Sequence, residues 1–230
     1  MLIPFGHEIW TADGPEIVAA AGFHYPTRMV VIRLPHDDLF LWSPIAVTEA
    51  LRSEVDALGT VRHLVAPNSL HHLFIADWKR AYPHARVHAA PGLHDKRRDL
   101  AFADELAGAA GPEWAAEIDQ VVVQGNAITT EVVFFHRRSG TVIFTDLIQH
   151  LPAGWYSGWR AVVARLDLMV GPEPSVPRKF RLAFTNRRAA RTSFARILAW
   201  PAEKVLMAHG APVVADGQAF LRRAFGWLMP

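Results

Sequence analysis

Three apolar segments of the sequence lead directly to side chains that bind metal ions. His71 and His72 follow the first segment, Asp146 ends the second, and His209 follows the third and precedes a glycine. Imidazole and carboxylate groups are ligands of Zn²⁺, and a few of them together with a water molecule form a hydrolytic centre. Loops at strand ends can converge from distant parts of a chain. We therefore predict one divalent ion, Zn²⁺, bound by His72, Asp146 and His209 with His71 in or beside its shell, and we predict that Asp146 also positions the attacking water.

Each of these positions taken alone also has an ordinary structural explanation. Paired histidines at a helix start often hydrogen-bond to backbone groups, and an aspartate after a strand often caps a helix or forms a turn. The glycine after His209 is a more specific signal, because it allows close backbone approach or a conformation that other residues avoid. The sequence has no cysteine, which excludes thiolate ligands, disulfides and a cysteine nucleophile.

The composition is that of a folded protein. Of its 230 residues, 51% are hydrophobic and 20% are charged, which excludes a disordered chain. No apolar run approaches the ~20 residues that span a bilayer. The first residues have neither the basic nor the long apolar region of a secretory signal. We therefore expect one domain over residues 1–230, a cytoplasmic location and no membrane partner.

The charge pattern contains one basic stretch. The formal net charge is only +2, but no acidic residue lies between Glu173 and Glu203, whereas seven arginine and lysine residues do. Such a stretch is typical of the solvated face of a helix, and less often of a surface that contacts phosphate. Since no known nucleic-acid motif accompanies it, we do not expect nucleic acid as a partner.

Hydrophobic periodicity predicts alternating strands and helices. Apolar runs predict strands at 29–34, 39–43, 61–66, 86–90, 131–136, 141–147 and 204–208. Spacings of three and four residues predict helices at 48–58, 70–82, 159–170, 187–200 and 215–228. The segment 95–119 has no clear pattern. Each half of the chain thus offers a hairpin followed by helices and strands, which predicts two sheets packed face to face with helices outside.

Several motifs occur in an order and spacing known from one protein superfamily. They are the segment 39–78 with its PN-x-x-HHLF motif, the helix end W-x-x-x-YP-x-A, the strands EVVFFHR-x-S and TVIFTDLI, and the late VLMAHG. Together they resemble an uncharacterised, divergent branch of the metallo-β-lactamase superfamily. The resemblance covers most of the chain. It implies an α/β fold, the four-layer αββα sandwich, and a metal-dependent hydrolase.

The first ligand motifs of that superfamily are incomplete here. Ser-Pro-Ile at 43–45 stands where the superfamily has Asp-x-Gly. Placing the last histidine of His-x-His-x-Asp-His on His72 puts Pro67 and Ser69 at the two leading histidines. The same alignment puts His71 at the aspartate.

The middle histidine motif is also missing, since Pro-Gly-His falls near Gln-Gly-Asn at 124–126. The first site of a binuclear pair would therefore lose its three histidines. The second site would retain His72, Asp146 and His209, with His71 in place of the aspartate. The resemblance thus implies at most one metal ion.

Two functions remain open at this point. The first is a mononuclear, metal-dependent hydrolase that acts on an ester, a lactone or a similar small substrate. The alternative is a non-catalytic, degenerate member of the superfamily that binds a small molecule or a protein partner in the same cleft. The aromatic segment Trp155–Trp159 fits either an apolar lid over the site or ordinary core and homodimer contacts.

Overall fold

The computed structural model describes residues 1–229, which form two β-sheets. The first sheet has seven strands that lie side by side in chain order: β1 (Ile3–Gly6), β2 (Ile9–Val18), β3 (His24–Arg33), β4 (Asp38–Trp42), β5 (Thr60–Ala66), β6 (Arg86–Ala89) and β7 (Asp104–Glu105). The second sheet has four strands, β8 (Ile118–Val123), β9 (Glu131–His136), β10 (Thr141–His150) and β11 (Lys204–Gly210), which lie in the order β11-β10-β9-β8.

Seven α-helices connect and cover these strands within residues 1–229. They are α1 (Glu49–Asp56), α2 (Ile75–Ala81), α3 (Leu93–Lys96), α4 (Gly158–Leu166), α5 (Arg178–Ala183), α6 (Arg187–Ile197) and α7 (Gly217–Phe225). The Thr48 hydroxyl caps α1 by accepting a hydrogen bond from the Leu51 N–H, and the Asn186 carboxamide caps α6 in the same way. None of the helices within this range is both long and apolar enough to cross a membrane.

Side chains alternate along the strands, so both faces of each sheet are buried. In β3, Val30 and Ile32 pack between the two sheets, whereas Val31 packs in the cluster formed with α1 and α2. In β9, Phe134 lies between the sheets and Phe135 packs in the cluster formed with α5, α6 and α7. The layers therefore run helix, sheet, sheet, helix, which confirms the predicted α/β, four-layer αββα sandwich.

The two predicted hairpins and the parallel neighbours are confirmed. β3 pairs with β4 and β9 pairs with β10 in antiparallel fashion, whereas β4, β5 and β6 run parallel, as do β10 and β11. The carboxyl ends of parallel strands lie at one edge of a sheet. The loop after β5 belongs to the first sheet and the end of β11 to the second, and these two ends, which carry predicted ligands, lie together where the sheets face each other.

Some elements differ from the prediction. β1, β2 and β8 are strands that the apolar pattern did not predict, and the segment 95–119 contributes α3 in part and β7. α2 begins at Ile75 rather than near residue 70, because the Asn68 side chain takes up the N–H groups of Leu70 and His71 and holds a turn there. The predicted helix at 159–170 ends at Leu166, where the chain leaves α4.

Candidate metal centre

The structure brings three of the four predicted ligands together. Nε2 of His71 lies 3.3 Å from Oδ2 of Asp146, and Nε2 of His209 lies 3.3 Å from Oδ1 of the same carboxylate. The two imidazole rings are 5.0 Å apart, and one ligand atom from each residue lies within 4.8 Å of the others. All three side chains are buried. Residues separated by up to 138 positions thus form one compact cluster of nitrogen and oxygen donors.

The end of β11 fixes the orientation of His209. Its Nδ1 lies 2.7 Å from the carbonyl oxygen of Pro26, and Arg28 donates to the carbonyl of Gly210. Gly210 has a φ of 121°, and a Cβ there would lie 1.9 Å from the carbonyl oxygen of His150. This close approach explains why glycine follows the histidine. The imidazole is therefore held from both sides, by strand pairing and by a backbone acceptor.

Asn68 positions the second imidazole. Its Oδ1 accepts hydrogen bonds from the N–H groups of Leu70 (2.8 Å) and His71 (2.9 Å), which folds the loop after β5 into a tight turn. The same carboxamide donates to Oδ2 of Asp146 at 2.7 Å. On the other side of the ring, Nδ1 of His71 lies 2.8 Å from the hydroxyl of Ser43. Asn68 therefore links the His71 loop directly to the carboxylate.

Asp146 lies in a bulge of β10. Phe144 and Gln149 pair with residues of β11 that are only two positions apart, so residues 145–148 lack regular partners on that strand. The buried carboxylate of Glu131 accepts the freed N–H groups of residues 145, 146 and 147, at 2.7, 2.9 and 3.0 Å. Buried N–H groups need such acceptors. Glu131 therefore holds the bulge from which the Asp146 side chain projects.

The pKa values within the cluster follow from burial and from these contacts. Burial alone would raise the pKa of Asp146, but the facing rings of His71 and His209 outweigh it and hold that pKa well below its ordinary value. Burial lowers the pKa of His71, which keeps its imidazole neutral. Burial and the charge of Asp146 raise the pKa of Glu131 to about 7. The cluster thus presents an ionised carboxylate to a neutral imidazole.

The donor set fits a cation. A carbonyl oxygen can only accept, so the contact with Pro26 requires a proton on Nδ1 of His209, and Nε2 is the nitrogen that faces a carboxylate oxygen of Asp146. A positive charge between Nε2 and that carboxylate oxygen, from a proton on Nε2 or from a metal ion, satisfies both atoms. A tetrahedral ion with bonds of about 2.0–2.1 Å separates its ligand atoms by about 3.3–3.4 Å. Each imidazole nitrogen stands at that separation from one oxygen of Asp146, His71 from Oδ2 and His209 from Oδ1, and the ligand atoms of the three residues all lie within 4.8 Å of one another.

His72, the fourth predicted ligand, is placed outside this cluster. Its Nδ1 lies 3.0 Å from a guanidinium nitrogen of Arg97, and burial together with Lys96 and Arg97 lowers its pKa to about 4. Consecutive residues in the turn that Asn68 forms point in different directions. The imidazole that meets Asp146 is therefore that of His71, the residue at the position of the superfamily's aspartate.

The aromatic segment behind Asp146 holds a neighbouring loop. The indole N–H of Trp155 and the hydroxyl of Tyr156 both donate to the carbonyl of His24, and Tyr156 and Trp159 contact the ring of Phe23 edge-on. These contacts fasten the loop between β2 and β3.

A cavity of about 20 Å³, large enough for about one water molecule, lies beside His71.

Three residues of the site were not predicted from the sequence. Ser43, Asn68 and Glu131 each touch a cluster residue or its backbone. A signal existed for Glu131, since a carboxylate in the apolar run EVVFFH needs a specific buried partner. Asn68 follows a proline at a strand end, a position typical of turns. Ser43 had no signal beyond standing where the superfamily has the aspartate of Asp-x-Gly.

Comparison with known proteins gives the following matches. The model of the family described as "Domain of unknown function (DUF4336)" matches residues 6–157. No curated protein sequence matches the chain.

Solved structures match over nearly the whole chain. A metallo-β-lactamase from Pontibacter korlensis is 11% identical, covers 99% of this chain and 98% of its own, and gives a TM-score of 0.65. The metallo-β-lactamase FIM-1 from Pseudomonas aeruginosa, in its mono-zinc form, is 11% identical, with coverages of 99% and 94% and a TM-score of 0.64. The metal-soaked flavodiiron core Flv1 from Synechocystis is 10% identical, with coverages of 99% and 60% and a TM-score of 0.66. The fold is that of the metallo-β-lactamases.

Proposed function

Because the chain belongs to the DUF4336 family, a family of unknown function, and has the metallo-β-lactamase fold, we propose that it is a mononuclear metal-dependent hydrolase. His71, Asp146 and His209 are the proposed ligands of one divalent ion. Two imidazoles and one carboxylate form a ligand set that suits Zn²⁺ and leaves a position for water. The proposed substrate is an ester, a lactone or a similar small molecule.

The orientation of His209 is the observation that carries this proposal. Its Nδ1 donates to the carbonyl of Pro26, so Nε2 is the nitrogen that faces Asp146 and is available to a metal ion. A hydrogen-bonded pair would place a proton there and draw the atoms to about 2.7–2.9 Å, as charge-assisted N–H···O bonds do. The observed 3.3 Å separation fits two ligands of one ion better.

The residues of the site have distinct parts in the proposed reaction. Bound at the cluster, the ion supplies Lewis-acid activation of a carbonyl and of water. Asp146, held ionised, accepts a hydrogen bond from the attacking water and orients it. Hydrolysis adds the water oxygen to the acyl carbon, breaks the bond to the ester oxygen and passes a proton to the leaving alkoxide. Ser43 and Asn68 fix the imidazole and the carboxylate and so act as positioning residues.

A non-catalytic metal-binding domain is the second candidate. The burial of Asp146 and His209, at 5% and 2% exposure, favours it, because a substrate reaches a buried ion only if the surrounding loops move. In that case the ion stabilises the contact between the two sheets, and the cleft binds a ligand without catalysing its conversion. The two candidates share the metal site and differ in turnover.

Metal content tests the shared part of both candidates. Protein purified without chelator is expected to hold about one metal ion per chain by elemental analysis. We expect Asp146→Asn and His209→Gln to lose it and His72→Gln to keep it, since His72 faces Arg97. A full metal complement in the first two variants would disprove the ligand set. Loss in His72→Gln alone would show that the ion binds elsewhere.

Turnover separates the two candidates. The wild-type protein, supplemented with Zn²⁺ or Mn²⁺, is assayed with ester, lactone and phosphodiester reporters. The hydrolase is expected to cleave one of them at a rate that chelator abolishes and Asp146→Asn lacks. Stoichiometric metal without any turnover would instead favour the non-catalytic domain.

A further inference from the structure

An open groove of about 750 Å³ lies between the β2–β3 loop and helices α4 and α5. Its walls are mostly apolar and come from residues 19–21, Phe23, Val163, Leu166, Met169 and Leu182. Leu166 is 59% exposed and Leu182 is 80% exposed. The volume falls within the range of about 300–1,000 Å³ that small-molecule sites occupy. The groove therefore has the size and the lining of a ligand site.

Exposed apolar side chains concentrate around this groove. Six of the twelve large hydrophobic residues that are exposed within residues 1–229 belong to the end of β2, to α4 and to α5: Val18, Trp159, Val162, Val163, Leu166 and Leu182. The apolar stripe of α4, which its spacing predicted, thus faces solvent rather than the core; only Ala164 of this helix is buried. An exposed apolar patch on this scale marks a binding surface.

One side of the groove carries positive charge. Nζ of Lys179 lies 3.3 Å from the hydroxyl of Tyr25 and 3.3 Å from the carboxylate of Asp167. The charges of Lys179 and Asp167 therefore compensate each other. Arg178 also lines the groove, and within residues 1–229 no carboxylate lies within 4.0 Å of its guanidinium. The groove therefore carries one uncompensated positive charge, which complements an anionic ligand.

Tyr25 separates the groove from the candidate metal centre. Its ring lines the groove, and its centroid lies 5.1 Å from that of the His209 imidazole. Because Nζ of Lys179 lies 3.3 Å from the Tyr25 hydroxyl, a molecule whose anionic head group meets this charge would have its head group at the Tyr25 end, near His209, and its chain along Leu166 and Met169.

We propose that this groove binds the aliphatic chain of a single-chain amphiphile, with an ester or carboxylate head group directed to Lys179, Arg178 and Tyr25. This rests on the proposed function in one respect, since it makes a fatty acyl ester the substrate and its carboxylate the product. A second copy of this chain is disfavoured as the occupant. A two-fold contact pairs this surface with itself, and the one carboxylate of residues 1–229 that lines the groove, that of Asp167, is already paired with Lys179 and leaves Arg178 without a partner.

Binding of sodium decanoate tests the proposal without relying on catalysis. The wild-type protein, kept in chelator, is titrated with decanoate and with decyltrimethylammonium by isothermal calorimetry, below the concentrations at which either forms micelles. We expect one decanoate per chain and at least tenfold weaker binding of the cationic ligand. Arg178→Gln is expected to remove most of that preference.

Two substitutions on one helix locate the binding site. Leu166 and Val162 are both 59% exposed, but only Leu166 lines the groove. Leu166→Glu is expected to weaken decanoate binding at least tenfold, whereas Val162→Glu leaves it unchanged. Equal loss in both variants would overturn the proposal. It would point to a flat contact with a membrane surface or with a second copy, which vesicle sedimentation and analytical ultracentrifugation would tell apart.

The failure of this proposal is distinguishable from the failure of the proposed hydrolase. Absence of decanoate binding alongside chelator-sensitive cleavage of a short ester would overturn the groove alone. Decanoate binding that Leu166→Glu abolishes, in a protein that holds no metal, would support the groove and disprove the hydrolase.

Discussion

Replacing Glu131 with glutamine tests whether the bulge that carries Asp146 depends on a buried carboxylate. One oxygen of Glu131 accepts the Thr145 N–H at 2.7 Å, and the other accepts those of Asp146 and Leu147 at 2.9 and 3.0 Å. A glutamine can keep the latter two bonds with its carbonyl oxygen. Its NH₂ group then faces the Thr145 N–H, so two donors meet and one bond is lost.

The size of the effect follows from that single loss. A hydrogen bond to a charged acceptor contributes about 1.5–3 kcal/mol, so we expect Glu131→Gln to lower the free energy of unfolding by about 2 kcal/mol. With a urea m-value of about 2 kcal/mol/M, the unfolding midpoint falls by about 1 M. Because the bulge aims Asp146, Zn²⁺ affinity is expected to fall by about 10–100-fold, as when other outer-shell partners are removed.

The assay pairs urea unfolding with Zn²⁺ titration against a competing chelator, both at pH 8. Burial and the charge of Asp146 raise the pKa of Glu131 to about 7, so this pH keeps the carboxylate ionised. Glu117→Gln is the matched control, since Glu117 is also buried but pairs with Arg138. If Glu131→Gln behaved like this control in Zn²⁺ affinity, the bulge would not depend on Glu131.

Three further predictions concern other supports of the structure. Gly210→Ala is expected to lower the free energy of unfolding by more than about 3 kcal/mol in urea, because its Cβ would overlap the carbonyl of His150; a loss below about 1 kcal/mol would contradict the close approach. Ser43→Ala is expected to weaken Zn²⁺ binding about tenfold by freeing the ring of His71, with a change in stability of about 1 kcal/mol; unchanged affinity would remove Ser43 from the site. Burial lowers the pKa of His136 from 6.5 to about 4. At a pH between these two values, unfolding therefore takes up a proton at this residue. The free energy of unfolding is expected to fall by up to about 3 kcal/mol as the pH drops from 6.5 to 4. Urea midpoints at pH 7, 5 and 4 measure this fall, which should be smaller in His136→Gln by the share of His136, while His72, whose pKa is lowered likewise, keeps its own share.

The sequence was most informative where strong periodicity coincided with burial. The β3–β4 and β9–β10 hairpins and the helices α1, α6 and α7 follow from local patterns, and the order of the layers follows from them. β2 was harder to predict, because its second half is exposed and its register shifts between Gly14 and Ile17. A strand that is exposed and irregularly paired has little of the alternation between apolar and polar residues by which strands are predicted.

The site was predictable as a set of strand ends but not in its details. That His71 rather than His72 meets Asp146 depends on the turn that the Asn68 side chain makes, which spacing alone does not determine. The bulge in β10 depends on Glu131, a residue on a neighbouring strand and 15 positions from Asp146 along the chain. Such long-range hydrogen bonds leave no periodic signal.

The charge of the candidate site favours a histidine over an aspartate at position 71. Glu131 and Asp146 are two buried carboxylates joined through backbone N–H groups, and a divalent ion would neutralise both. An aspartate in place of His71 would add a third negative charge, and uncompensated charge is expensive to bury. His71→Asp is therefore expected to be strongly destabilising alone and better tolerated together with Glu131→Gln, which removes one of the carboxylates. The free energies of unfolding of the wild type, both single variants and the double variant are measured in urea with saturating Zn²⁺. We expect the double variant to lose less stability than the sum of the two single losses, by more than about 1 kcal/mol. Effects that add within about 0.5 kcal/mol would show that residues 71 and 131 do not share a charge balance.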